Sequence, residues 1–224
     1  MKFLILAGAG KGQRLNLSIP KSFVKLNGKV LFLYSIEKFE KFVDRIYLAL
    51  PEDYMDEGEK IIKRVYPNVI LVKGGATRQD SVFNCLKLID GNGIVLIHDV
   101  ARPFVSKSLI KKVIDGCEKY GACIPIIKIT DTLKEVENNF VKKTLEREKI
   151  FFVQTPQAFK LKLIKEAYDK CMKTGLEGSD DSFFLEKIGY NKIYCIEGEK
   201  NNIKITYKED LIFAEFILKK WEKE

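Results

Sequence analysis

The chain has 224 residues, 46% of them hydrophobic and 31% charged, the balance of an ordinary globular protein with enough length to bury a core without staples. It carries a formal charge of +8, five cysteines and one histidine. With no C-x-x-C pair and a single imidazole, zinc sites and disulfide frameworks are excluded as organising features, and no apolar run reaches the length of a membrane span.

The first apolar run, Phe3 to Ala7, reads as a buried strand of a cytoplasmic protein; it is too short for a signal-peptide core. It enters a glycine loop, Gly8-Ala9-Gly10-Lys11-Gly12-Gln13-Arg14, with Pro20-Lys21 close behind. Glycines let backbone amides approach phosphate closely, Arg14 adds a fork of donors and Lys21 a point charge, a set suited to a triphosphate. The spacing fits neither a Walker A loop nor G-x-G-x-x-G.

Leu31 to Phe42 has a helical apolar stripe, and Arg45 to Leu50 reads as the next strand. Asp53 to Tyr66 is helical, Val69 to Val72 a strand, and Gln79 to Ile89 helical again, preceded by Gly74-Gly75-Ala76-Thr77-Arg78. Arg78 reads as a cap or a brace for that loop. Ile94 to His98 is a wholly apolar strand closed by Asp99, whose carboxylate is placed to hold Mg²⁺ or another divalent cation; the alternatives are a helix cap or a salt bridge to Arg102. His98 reads as a buried neighbour.

Ser106 caps a helix over Lys107 to Tyr120, followed by a strand over Ala122 to Ile127. Thr130 to Val153 is strand-like but polar and reads as a projecting hairpin. Leu161 to Met172 is helical, Asp180 caps a short helix over Ser182 to Ile188, Lys192 to Ile196 is a strand, and Lys208 to Trp221 a final helix. Strands alternating with helices predict an α/β fold: one open, mostly parallel sheet with helices on both faces and ligands beyond the strands' carboxyl ends.

The glycine loop with Pro20-Lys21, Gly74 to Val82, His98-Asp99-Val100-Ala101-Arg102-Pro103, Gln154-Thr155-Pro156-Gln157 and Asn202-Ile203-Lys204-Ile205-Thr206 together resemble the 2-C-methyl-D-erythritol 4-phosphate cytidylyltransferase family, close to the ribitol-5-phosphate cytidylyltransferases. The resemblance runs from residue 3 to about 217. It implies a Rossmann-like nucleotidyltransferase domain over the whole chain, with 130–153 as an arm that completes a homodimer. The implied reaction is transfer of CMP from CTP to the polyol phosphate, releasing pyrophosphate, in non-mevalonate isoprenoid biosynthesis.

By the same resemblance, Arg14, Lys21 and Lys204 are catalytic. Gly8, Ala9, Gly10, Gly12, Gly74, Gly75, Ser81 and Ala101 hold CTP, and Thr132, Arg147, Thr155 and Arg102 hold the polyol phosphate. Asp99 binds the metal. Departures are Asn201 where the family usually has Asp, Ser22 for Gln, Val100 for Ala, and Ser179-Asp180-Asp181 for a run beginning with Thr. Two other classes compete: an NAD-binding oxidoreductase, disfavoured by the glycine spacing, and a basic nucleic-acid-binding module, disfavoured by the scatter of the charges.

Overall fold

The structure is a computed structural model that describes residues 1–10, 12, 15, 19–63 and 65–221, with Trp221 described in its backbone only. Arg14 therefore lies outside the described residues.

The elements follow the predicted alternation. Strand β1 (Lys2–Ala7) leads through the glycine loop to two short strands, β2 (Lys25–Leu26) and β3 (Lys29–Val30), and to helix α1 (Leu31–Phe39). Then come β4 (Arg45–Leu50), α2 (Met55–Ile62), β5 (Val69–Lys73), α3 (Arg78–Lys87), β6 (Ile94–Asp99) and α4 (Lys107–Tyr120). The second half holds β7 (Ala122–Lys128), β8 (Lys134–Glu137), β9 (Phe140–Thr144), β10 (Phe151–Val153) and β11 (Gln157–Lys160). It closes with α5 (Leu161–Lys173), α6 (Ser182–Lys187), β12 (Ile193–Glu197) and α7 (Lys208–Trp221).

The main sheet runs β10-β7-β11-β6-β1-β4-β5, with β12 also paired to β7. β1 lies parallel between β4 and β6, so their three carboxyl ends share one rim. β10 and β11 run antiparallel to their neighbours. The sequence places Phe151 to Val153 in the projecting 130–153 hairpin, whereas the structure pairs them with β7 in the main sheet; β11 is not assigned from sequence because four residues are too short for an apolar period to stand out.

Side chains alternate across the strands, so the sheet separates two cores. Leu4 and Leu6 pack with Leu31, Ile36, Leu109 and Val113 from α1 and α4. Phe3 and Ile5 pack with Val82, Leu86, Ile164 and Phe184 from α3, α5 and α6 on the other face. Both faces of the sheet are covered, as predicted; β6 is buried along its whole length, and β1 and β4 are buried except at their ends.

Caps fix where the helices start. Ser106 accepts a hydrogen bond from the Leu109 amide, as predicted. At α6 the cap position is Asp181, one residue later than expected, although the Asp180 carboxylate still accepts from the Phe183 amide. β8 and β9 form a separate two-stranded hairpin. Its turn residues Asn138 and Asn139 have φ of 49° and 68°, the left-handed pair that a tight two-residue hairpin turn demands.

Candidate active site

A cavity of ≈ 410 Å³ opens over the carboxyl ends of β1 and β6, within the size range of small-molecule sites. Its floor is backbone: Ala7, Gly8, Ala9, Gly10 and Gly12 from the first loop, and Val100 and Ala101 from the turn after β6. Lys21, Arg78, Asp99 and Lys204 supply its charges. Three cations against one carboxylate make it a site for a polyanion.

Close backbone approach explains the glycines. A Cβ on Gly74 would sit 2.1 Å from the Ala9 Cβ, so the loops after β1 and β5 touch only because residue 74 has none. Gly12 has a φ of 62°, the left-handed conformation that glycine adopts without strain. Gly74 and Gly75 are not among the residues lining the cavity, but Gly75 helps hold one that is: its amide donates to Ser81 Oγ at 3.0 Å, and Ser81 Oγ donates to the Thr77 carbonyl at 2.9 Å. Ser81 itself lines the cavity.

Lys204 arrives from far along the chain, and backbone bonds deliver it. The Ile205 amide donates to the Ala101 carbonyl at 2.8 Å, and the Ile205 carbonyl accepts from Lys21 Nζ at 2.7 Å. Asn202 Nδ2 donates to the Thr155 carbonyl at 2.9 Å. Thus Lys21, Ala101, Thr155 and Lys204, read as separate motif members, are one hydrogen-bonded unit. Neither lysine simply faces solvent: Lys21 is bonded to the loop that carries Lys204, and Lys204 is paired with Asp99.

Asp99 is 6% exposed. Its Oδ1 accepts from Arg78 Nε at 2.8 Å, and its Oδ2 lies 2.6 Å from Lys204 Nζ. Burial pushes the Asp99 carboxyl up, but the Arg78 and Lys204 charges outweigh it and hold it well below the usual carboxylate range. The sequence alternative of a bridge to Arg102 is not what forms: Arg102 donates to the Asn202 carbonyl at 2.8 Å. Burial lowers the Arg102 pKa, and its Nε is a buried donor with no partner among the described residues.

Arg78 spends its other edge on Asp181, Nη1 at 3.0 Å and Nη2 at 2.7 Å. Asp181 is 0% exposed and also accepts from Tyr168 Oη at 2.6 Å. Burial works against the Arg78 charge, yet Asp181 and Asp99 outweigh it and its pKa rises well above the ordinary value. Asp181 and Tyr168 were not legible as site residues. One hint existed, the Ser179-Asp180-Asp181 run set against the family's pattern, in which only Asp180 is given a role, as a helix cap.

Behind Asp99 runs a neutral relay. Its amide donates to Thr155 Oγ1 at 3.1 Å, and Thr155 Oγ1 lies 3.1 Å from His98 Nδ1. His98 Nε2 lies 3.0 Å from the Arg102 carbonyl. A carbonyl only accepts, so Nε2 carries the proton and Nδ1 accepts from Thr155. Burial drives the His98 pKa down to about 4, which keeps the ring neutral. Thr155, read as a polyol-phosphate ligand, therefore turns its hydroxyl inward to this relay.

Thr132 and Arg147 do not reach the cavity within one chain. Both are exposed, and Arg147 Nη1 donates to the Thr130 carbonyl at 2.6 Å. Among the described residues no group of three or more His, Cys, Asp or Glu is placed to hold a metal, and Asp99 is the one carboxylate among the described residues lining the cavity. No helix of the described residues is long and apolar enough to cross a membrane.

The family model described as 2-C-methyl-D-erythritol 4-phosphate cytidylyltransferase matches residues 2–220. Proteins of that name from Geobacillus kaustophilus and Clostridium novyi are similar at 39% identity over 218 residues and 40% over 220. Each alignment covers 96% of this chain and 95% of the relative. The 4-diphosphocytidyl-2C-methyl-D-erythritol synthase of Anaerococcus prevotii superposes with a TM-score of 0.87 at 32% identity, covering 98% of this chain and 96% of that one. The 2-C-methyl-D-erythritol 4-phosphate cytidylyltransferase of Thermus thermophilus gives a TM-score of 0.82 at 32% identity, covering 96% and 98%.

Proposed function

The chain belongs to the 2-C-methyl-D-erythritol 4-phosphate cytidylyltransferase family, and from that premise we propose how its rim transfers CMP from CTP to 2-C-methyl-D-erythritol 4-phosphate. The activity is that of a nucleotidyltransferase in isoprenoid biosynthesis, which displaces the oxidoreductase and nucleic-acid readings. The observation that carries the site assignment is Asp99 held between Lys204 and Arg78 on the wall of a glycine-floored cavity.

An oxygen of the polyol phosphate attacks the α-phosphorus of CTP, a new P–O bond forms, and the bond to the β-phosphate oxygen breaks to release pyrophosphate. The nucleophile is already an anion, so no general base is required, and catalysis is positioning and charge neutralisation. Lys204 faces the α-phosphate and neutralises charge that grows on its non-bridging oxygens. Lys21 and Arg14 hold the β- and γ-phosphates over the amides of Gly8, Ala9, Gly10 and Gly12. Gly74, Gly75, Ser81 and Ala101 frame the nucleoside.

The donor set fits Mg²⁺ once Lys204 turns from Asp99 to the phosphate: Oδ1 stays with Arg78, and Oδ2 would then be the carboxylate oxygen that holds the ion. Mg²⁺ takes one or two carboxylates, keeps several waters and completes its shell with substrate phosphate, so Asp99 would be enough on the protein side. When bound, it supplies charge neutralisation at the phosphates. Exposed Asn201 offers no second carboxylate.

Arg102, beside the rim, and Arg147 with Thr132, from a partner's arm, clamp the polyol phosphate; Thr155 contributes by fixing the Asp99 backbone. The arm reading is supported by apolar side chains that the single chain leaves uncovered: Phe140 is 78% exposed, and on the other side of the hairpin the paired Val136 and Val141 are 57% and 62% exposed. Covering such side chains is what a second copy of the chain would provide.

Pyrophosphate release measured with each of the four nucleoside triphosphates against 2-C-methyl-D-erythritol 4-phosphate and ribitol 5-phosphate tests the assignment. CTP with the methylerythritol substrate gives the fastest turnover. Release with neither polyol phosphate, or faster release with ribitol 5-phosphate, overturns it.

A further inference from the structure

One guanidinium joins the rim to the opposite core. Arg78 makes three bonds to two carboxylates: Nε to Asp99, and Nη1 and Nη2 to Asp181. Asp181 is fixed in turn by Tyr168 of α5. The start of α3 is also fixed, because Thr77 and Asp80 form a reciprocal cap around it: the Asp80 amide donates to Thr77 Oγ1, and the Thr77 amide donates to the Asp80 carboxylate. Gln79 ties the same turn to the α5–α6 loop, donating to the Leu176 carbonyl and accepting from the Gly178 amide.

Asp99 has two oxygens with different neighbours. Arg78 occupies Oδ1 from within the protein, leaving Oδ2 to Lys204 at the cavity. A carboxylate at a strand end rotates about its side-chain torsions unless one oxygen is pinned, and Arg78 pins it. The pinning group must serve two buried carboxylates at once. A planar fork with five donors does this, whereas an ammonium keeps the charge but not the geometry.

From this arrangement we propose that Arg78, anchored by Asp181 and Tyr168, is a positioning residue for the transfer reaction: it orients Asp99 and, through it, Lys204. Its role follows from what it holds and is exercised through Asp99. The inference rests on the reading of this rim as the transfer site.

The test is a double-mutant cycle on the full chain, with CMP transfer from CTP as the signal. Arg78→Lys lowers kcat about tenfold or more, with KM for CTP changed by less than about threefold, because lysine keeps the positive charge at that wall of the cavity while the glycine floor and Lys21 are unaltered. Asp99→Asn lowers kcat as well. Combining them is no worse than Asp99→Asn alone to within about twofold, since a residue that acts through Asp99 has nothing left to orient. Multiplicative losses in the double variant overturn the proposal, as does Arg78→Lys with wild-type kcat. Asp181→Asn, which keeps the side-chain shape, replaces Arg78→Lys in the same cycle should the latter fail to fold. Wild-type protein that transfers no CMP at all would instead refute the reading of the rim, and this inference with it; an active wild type without coupling refutes this inference alone.

Discussion

Lys204 Nζ and Asp99 Oδ2 stand 2.6 Å apart at the cavity wall, although one belongs to the strand end of β6 and the other to the loop before α7. The pair is poised rather than spent. Lys204 is 38% exposed, so its ammonium is open to an anion in the cavity, while the carboxylate beneath stays ionised.

Removing the cation should therefore affect turnover far more than folding. Lys204→Ala and Lys21→Ala each lower kcat by about a hundredfold, the order seen when a donor to a developing oxyanion is deleted. Steady-state kinetics and thermal melting of the same preparations check this. Activity within a few-fold of wild type in both variants, at unchanged fold, contradicts the assignment.

Acid should weaken the fold through His98. This ring is 0% exposed and neutral, with its folded pKa lowered to about 4 from 6.5. The unfolded chain binds the extra proton first as pH falls. Stability is thus complete above about pH 6.5 and drains away towards pH 4, by roughly 3 kcal/mol over the whole window. The depressed Asp99 carboxyl adds its own loss only lower, as pH falls from the ordinary carboxylate range. Since the chain has a single histidine, urea unfolding at pH 6.5, 5.5 and 5.0 isolates the effect, and His98→Gln flattens the slope between the first two. Resonances of the imidazole titrating near 6.5 in the folded protein would rule this account out.

The arm makes a prediction about mixtures. If Arg147 serves the partner's site, Arg147→Ala and Lys204→Ala homodimers are both nearly inactive. A mixed dimer, however, contains one site with wild-type Arg147 and Lys204. Co-refolding equal amounts restores roughly a quarter of wild-type activity, from half the dimers being mixed and each having one intact site. No recovery, with mixed dimers demonstrated, places Arg147 outside the partner's site.

Much of this protein was written in local patterns. Arg45 to Leu50 and Lys107 to Tyr120 were bounded correctly because apolar period and cap chemistry act over a few residues, and burial on both sheet faces left those patterns clean. The glycine loop announced a phosphate-sized approach for the same reason: a missing Cβ is a local fact. Joined in order with four later motifs, these signals were enough to indicate the family.

What only the folded chain decided is who touches whom. Nothing in the spacing of Arg78, Asp99, Tyr168 and Asp181 says that one guanidinium bridges two carboxylates. That contact depends on α3 and α6 covering the same face of the sheet beside β6, and on burial making an unpaired charge too costly to leave. The inward turn of Thr155 likewise required β11 to insert between β6 and β7. Residue identity fixes which bonds a side chain is able to make. Long-range strand pairing fixes which of them it does make.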